Sequence, residues 1–324
     1  MRPLLRLLSP PALSGRLSIL IFHRVLAQAD PLFPDDTTAQ RFDAICSWIA
    51  QWFNVLPLDE AASRLASGQL PARAACITFD DGYRDNHDQA VPILLKHGLT
   101  ATFFVATGFV DGGRMWNDTL VEAVRNTQAP ELDLSDLALG PNLQHFSLPD
   151  NAARRTAIHS LLRHVKYLTP THRNEVVATI AAKAGVCPRD DLMMSSNQVK
   201  ALRSAGMQIG AHTVTHPILR RLDDKQARSE IGRSREELQG WLQEPVTLFA
   251  YPNGKPGEDY GERDATIVKA LGFSAAVSTR WGAAGRDSNP FELPRFTPWD
   301  ATRVRFGLRL ARNLLVGSRL PKLT

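Results

Sequence analysis

The chain has 324 residues, 44% hydrophobic and 22% charged, with a formal net charge of +5. That length and apolar content can bury a full core and suit one barrel domain with an insertion, so no second catalytic domain is needed. Basic residues are spread along the chain rather than clustered with aromatics; no nucleic-acid partner is expected, while attraction to anionic glycans or membrane surfaces is consistent with the balance.

Taken from the start, the run Leu4 to Leu8 is interrupted by Arg6 and followed by Pro10-Pro11, and Leu17 to Phe22 is too short to span a bilayer. No uninterrupted apolar region precedes a small-residue cleavage site, so a secretory signal is not read and a cytoplasmic address is the expectation. Leu17 to Phe22 predicts a strand ending at His23. A helix over Thr38 to Phe53, a strand at Asn54-Val55-Leu56 and a helix from Leu58 to Ser67, ended by Gly68, follow. Ala74 to Phe79 reads as a buried strand, Val91 to His97 as part of a helix ended by Gly98, and Ala101 to Val105 as a β-branched, aromatic strand.

From about residue 115 to 196 the alternation lapses. Leu-rich and Arg-rich helical pieces such as Ala152 to Tyr167, separated by Pro141, Pro149 and Pro170, read as a mostly helical insertion. The βα alternation then resumes with a helix at Gln198 to Ala205, a strand at Met207 to Ala211 and a long charged helix at Asp224 to Leu242. Strands at Thr247 to Ala250 and Ser274 to Val277 bracket a helix at Ala265 to Leu271. In the final helix, Ala301 to Val316, Val304, Leu308, Ala311 and Leu315 share one face and Arg305, Arg309 and Arg312 another. That apolar face is expected to close the outer layer, with peripheral membrane contact as the other reading. The whole pattern is α/β, a parallel barrel, with residues 1–71 contributing a strand-helix region and 72–324 the main domain. Cys46, Cys76 and Cys187 are widely separated and odd in number, which excludes a zinc ribbon or a paired disulfide framework; reduced core thiols are expected.

Two motifs carry chemistry. Ile77-Thr78-Phe79-Asp80-Asp81-Gly82 ends one apolar strand, and His212-Thr213-Val214-Thr215-His216 ends another. One carboxylate with two neutral imidazoles gives three protein ligands and leaves a position open on a divalent ion, while the second carboxylate remains as a base. Alone, the first motif is equally a capping turn and the second a solvated helix face. Their shared position at the carboxyl ends of strands favours a site.

These motifs, in this order and separation, resemble the first two motifs of the polysaccharide deacetylases, the NodB-like carbohydrate esterases. Thr247-Leu248-Phe249-Ala250-Tyr251-Pro252-Asn253-Gly254 resembles the third. The resemblance implies a distorted (β/α) barrel of the NodB-homology type with a helical insertion, Asp81, His212 and His216 as ligands of a divalent metal, most simply zinc with cobalt, nickel or iron as alternatives, and Asp80 as catalytic base. Two departures stand out. Ala250 occupies the place of an arginine that braces the base, and Arg295, in Leu293-Pro294-Arg295, is the candidate replacement. No histidine follows His216, so the usual late general acid is missing. His23 resembles the histidine of the permuted branch typified by poly-N-acetylglucosamine deacetylases, where the corresponding strand comes first.

The implied activity is hydrolysis of N-acetyl groups on an amino-sugar polysaccharide or oligosaccharide. A backbone N–H in the turn from Tyr251 to Gly254 would stabilise the oxyanion, and Tyr251, Asn253 and Trp281 would contact the N-acetylated glycan, with Trp116 a further aromatic of that kind. A small-molecule amide or imide hydrolase and a non-catalytic glycan-binding protein are the alternatives on the same scaffold.

Overall fold

The computed structural model describes residues 1–298, 300 and 302–316. The chain opens on helix α1 (Arg2–Leu8), where Pro3 sits in the first turn and its missing N–H costs nothing. Strand β1 (Leu17–Phe22) is buried at every residue. Helix α2 (Ala39–Trp52) begins where the Thr38 hydroxyl accepts the Arg41 N–H at 3.2 Å. Strand β2 (Asn54–Val55), helix α3 (Leu58–Ala66) and the fully buried strand β3 (Ala74–Phe79) follow. After β3 a wide helical turn over Asn86–Ala90 runs into α4 (Val91–Lys96), and β4 (Thr102–Val105) is again buried throughout.

Next come α5 (Trp116–Asn126), β5 (Glu131–Asp133), β6 (His145–Ser147), α6 (Asn151–Val165) and α7 (Pro170–Lys183). The alternation then resumes with α8 (Ser196–Ser204), β7 (Gln208–Ala211), α9 (Asp224–Leu242), β8 (Leu248–Ala250), α10 (Glu262–Ala270), β9 (Ala275–Trp281), β10 (Leu293–Arg295) and α11 (Arg303–Val316). Helix α9 has the bounds its pattern predicts because Asp223 and Gln226 form a reciprocal capping box.

The chain divides into two compact units, one of residues 1–27, 37–111 and 194–324, the other of 28–36 and 112–193. The first holds a parallel sheet in the order β1-β3-β4-β7-β8-β9-β10, with β2 beside the start of β3. Phe296, just past β10, donates to Ile19 at 2.7 Å and accepts from Ile21 at 3.0 Å, which returns the sheet to β1 and closes it. Such closure explains the apolar runs, since the sheet faces both an interior and a helical layer. Phe79 stacks on Phe103 at 4.8 Å and on Phe22 at 5.3 Å, each contact adding about 0.5–1.5 kcal/mol beyond burial. Gly210 is required in β7, because a Cβ there would stand 2.5 Å from the Phe104 ring.

The second unit is built by α5, α6 and α7 around Leu120, Val124, Ile158, Leu161, Val177 and Ile180. Two features were not expected from the pattern. β5 and β6 form an antiparallel pair, and residues 28–36 join this unit, with Leu32 buried in its core.

Two sequence expectations need correcting in detail. In α11 the inward face is Phe306, Leu310 and Leu314, whereas Val304, Leu308 and Leu315 are exposed, so the face expected to close the outer layer points mostly to solvent. Cys46 and Cys76 are buried but Cys187 is exposed, and all three are free. The segment from Leu4 to Leu8 is helical, with Leu5 fully buried. No helix among the described residues is long and apolar enough to cross a membrane.

Candidate active site

Every candidate catalytic or metal-binding side chain stands at the carboxyl end of a parallel strand or just beyond it: His23 after β1, Asp80 and Asp81 after β3, His212 after β7, Arg295 at the end of β10. In a parallel barrel these ends share one rim, so positions far apart in sequence converge. The backbone is bent to do so. Asp81, Thr213, His216 and Asn253 all have positive φ, at 79°, 64°, 52° and 58°. Such conformations cost of order 1–3 kcal/mol each and persist where surrounding contacts over-determine them. Gly82, at φ 90°, continues the bend, and a Cβ there would already press on Val105 at 3.0 Å.

Asp81, His212 and His216 bring one ligand atom each to within 4.8 Å of one another. The Nε2 atoms of both histidines lie 3.4 Å from the same oxygen of Asp81, and that buried oxygen has no hydrogen-bond partner. His212 Nδ1–H donates to the Ala250 carbonyl at 2.7 Å, which aims Nε2 inward, the arrangement typical of a metal-binding imidazole. Burial opposes charge on each of the three. For Asp81 the neighbouring His212 and His216 imidazoles outweigh burial and hold the carboxyl well below its usual range. Burial pushes His216 down to about 4, against the pull of Asp81, which leaves it neutral as a ligand must be. In His212 the Asp81 and Asp80 carboxylates overcome burial and raise the pKa; the anionic field that holds a proton there suits a cation equally. This donor set fits a divalent ion.

Asp80 points elsewhere. Arg295 donates from Nη1 and Nη2 to its two oxygens, each at 2.7 Å, and spends Nε on the Ser278 carbonyl at 2.8 Å. Thr78 Oγ1 accepts a further Arg295 N–H at 3.3 Å while donating to the Leu20 carbonyl. Both charged side chains are nearly inaccessible, at 1% and 2%. Burial favours neutral Asp80, but the Arg295 guanidinium and the His212 charge override it and keep the carboxyl below its ordinary value. The cation for which Ala250 leaves no side chain thus arrives from another strand.

His23 is exposed, and its charge reaches Asp80, Asp81 and His216. Its backbone is pinned by residues that sequence reasoning missed. Asn86 Nδ2 donates to the His23 carbonyl at 2.8 Å, and Asp85 accepts the Val25 N–H at 3.1 Å and Arg24 Nε at 2.8 Å. Glu230 was missed too. From α9 it accepts the N–H groups of Val214 and Thr215, at 3.0 and 2.8 Å, and the Thr215 hydroxyl, clamping the loop between the two histidines. The position of Asp85 and Asn86, separated from the Asp-Asp-Gly turn only by Tyr83 and Arg84, was a usable signal; Glu230 on a charged helix offered none.

The expected glycan contacts fare unevenly. Tyr251 is fully buried, stacked on Tyr260 at 3.7 Å with its hydroxyl donating to the Phe291 carbonyl, so its ring has no face for a sugar. Trp281 is the half-buried end of β9, with the Arg312 guanidinium 5.9 Å from its ring centre. Asn253 is half-exposed in the turn after β8. Trp116, in the second unit, carries Arg173 over its ring at 5.0 Å.

The family profile described as "Polysaccharide deacetylase" matches residues 67–131 and 165–276. The chain belongs to the polysaccharide deacetylase family. This deacetylase is 22% identical over 283 residues to YxkH of Bacillus subtilis (strain 168), a match covering 87% of the chain and 71% of that relative. It is 24% identical over 177 residues to the poly-beta-1,6-N-acetyl-D-glucosamine N-deacetylase of Staphylococcus aureus (strain MRSA252), covering 52% of this chain and 58% of the other. In fold it is similar to IcaB from Ammonifex degensii, with a TM-score of 0.59 at 19% identity over 94% of this chain and 98% of that one. The Streptococcus pyogenes deacetylase PplD is similar too, with a TM-score of 0.56 at 19% identity, covering 87% and 92%. The deacetylase barrel is therefore shared over nearly the full length of both solved chains.

Proposed function

We propose that this enzyme removes N-acetyl groups from an amino-sugar exopolysaccharide or its oligomers, with Asp80 as base, His23 as general acid and a divalent ion held by Asp81, His212 and His216. The observation that carries the reading is the division between two adjacent carboxylates, one shared by the two imidazoles and the other locked to Arg295. Zinc is the ion we assign; the same donor set also accepts cobalt, nickel or iron. When bound, such an ion supplies Lewis acidity, polarising the amide carbonyl and lowering the pKa of water toward about 7.

The chain's own residues account for the remaining steps. Asp80 accepts the proton of the attacking water; each of its oxygens keeps a lone pair beyond the one bonded to Arg295, and the guanidinium holds the group ionised and fixed in plane. Negative charge developing on the carbonyl oxygen needs a donor in the turn after β8. Tyr251 N–H already donates to Val277 at 3.3 Å, Gly254 N–H to Pro252 at 2.6 Å, and Pro252 has none, which leaves Asn253 N–H for that task. His23 then protonates the departing nitrogen, releasing acetate and a free amine. The exposure of His23 and the half-exposure of His216 put this side of the site where a polymer can reach it.

The likeness to the staphylococcal relative, whose name specifies poly-beta-1,6-N-acetyl-D-glucosamine, supports an N-acetylglucosamine polymer as the substrate class. Acetate release from N-acetylglucosamine oligomers, compared with hydrolysis of small cyclic amides, tests the proposal. Turnover of a cyclic amide with no acetate from any glycan would replace it by the small-molecule reading.

A further inference from the structure

Among the described residues, eight large apolar side chains are exposed, and six of them lie on the two terminal helices and the turn after α1: Leu4, Leu7, Leu13, Val304, Leu308 and Leu315. Single exposed leucines are ordinary, but a concentration of this kind marks an interaction surface. The two helices are neighbours. Leu5 of α1 joins Phe306, Leu310 and Leu314 of α11 in one buried cluster, Met1 lies against Gly307, and Arg16 donates to the Leu314 carbonyl. Their inward faces are thus fully occupied, and a second apolar face of α11 is left outside.

The charge on these helices has one sign. Arg2, Arg6, Arg303, Arg305, Arg309 and Arg312 lie on them, and neither helix contains an acidic residue. Arg309 is paired with Asp300, while Arg2, Arg6, Arg305 and Arg312 are exposed beside the outward leucines. The field of Arg2 and Arg6 is strong enough to help lower the pKa of Arg73, whose own burial is the larger cause.

We infer that α1 and α11 form a docking face for an anionic lipid bilayer, lying in the plane of the interface with their outward leucines among the acyl chains and their arginines at the headgroups. Leucine beside arginine without carboxylates is the composition of an interfacial helix, and helices of 7 and 14 residues lie on a bilayer rather than cross it. Charge selects this occupant over a second copy of the chain. A two-fold contact would set the face against itself and bring arginines against arginines, whereas anionic headgroups neutralise them. The inference is independent of the substrate proposed above.

Co-sedimentation of the full chain with vesicles tests it, using phosphatidylcholine alone and phosphatidylcholine with about 30% phosphatidylglycerol, where adjacent arginines are each worth about a five-fold change in partitioning. The expected result is binding to the anionic vesicles at least about tenfold tighter than to the neutral ones, weakened by salt. Leu7→Glu with Leu308→Glu should reduce that binding by about tenfold or more, with acetate release from a soluble oligomer unchanged. Arg6→Gln with Arg305→Gln, which removes no buried contact, should reduce it by about 25-fold and decides the matter if the glutamate variant fails to fold. Wild-type protein that ignores anionic vesicles, binds neutral ones equally, or binds as well after the arginine substitutions would overturn the inference. So would a wild-type dimer in analytical ultracentrifugation that the glutamate pair converts to monomer, since a second copy would then own the face.

Discussion

Arg295 grips Asp80 with both terminal nitrogens, each 2.7 Å from a different carboxylate oxygen, across 215 positions of sequence. Removing one partner of a pair this buried leaves an uncompensated charge, a loss of about 3–5 kcal/mol. Arg295→Met is therefore expected to lower the stability measured by chemical denaturation by that order. Because Asp80 titrates below the ordinary carboxylate value when folded, the pair's contribution is present above the unfolded carboxyl's pKa and lost as pH falls through the depressed folded value. The gap between wild type and variant should accordingly shrink toward acid pH. A gap that stays constant with pH would mean that Asp80 is not the group Arg295 serves.

The two adjacent aspartates should separate cleanly in metal analysis. Asp81→Ala, His212→Ala and His216→Ala each remove one of three ligands and should purify with little or no ion. Asp80→Asn should keep its ion and lose about 10²–10⁴-fold in turnover. Full occupancy after any of the alanine substitutions, or metal loss in Asp80→Asn, would reverse the assignment.

For His23 the discriminating measurement is leaving-group dependence. His23→Ala should retain metal and fold, be strongly impaired on an N-acetyl substrate, and be impaired least on an activated acetyl ester whose leaving group needs no proton. Asn86→Ala should show a weaker form of the same pattern, since it removes the hydrogen bond to the His23 carbonyl while touching no reacting group. Equal damage to ester and amide in His23→Ala would assign that residue to structure.

Glu230 makes a prediction that the motifs themselves do not. Its carboxylate takes two backbone N–H groups and the Thr215 hydroxyl in the loop joining the two histidines, so Glu230→Ala should weaken metal affinity by about 10–100-fold with the ligands intact. Equilibrium titration with zinc reads this directly, and unchanged affinity would make the clamp dispensable.

What the sequence revealed, and what it hid, follows from where each signal resides. β3 and α9 were legible to the residue, one because an unbroken apolar run has nowhere to lie except a sheet covered on both faces, the other because a capping box marks its start. β5 and β6 were not, being short strands with polar ends that pair only with each other. In α11 apolar residues occur on two sides, so spacing could not decide which side faces inward; Phe306, the bulkiest, does. The cluster of Asp81, His212 and His216 was legible because its residue types and spacing survive without context. Tyr251 was misjudged because adjacency to a motif in sequence says nothing of direction, and its ring turns back to stack on Tyr260. Glu230 acts through loop backbone, a contact that leaves no mark on local composition.

The closure of the sheet through Phe296 has a bearing on biogenesis. During synthesis β1 can zip to β3 as soon as that strand is made, yet its other edge must wait for Phe296, as Asp80 must wait for Arg295, 215 positions further along. Until then the growing chain carries an unpaired apolar edge and an uncompensated carboxylate, a state prone to aggregation. The strand that closes the barrel is thus the same one that delivers the guanidinium to Asp80, so sheet closure and completion of that pair are one event in space.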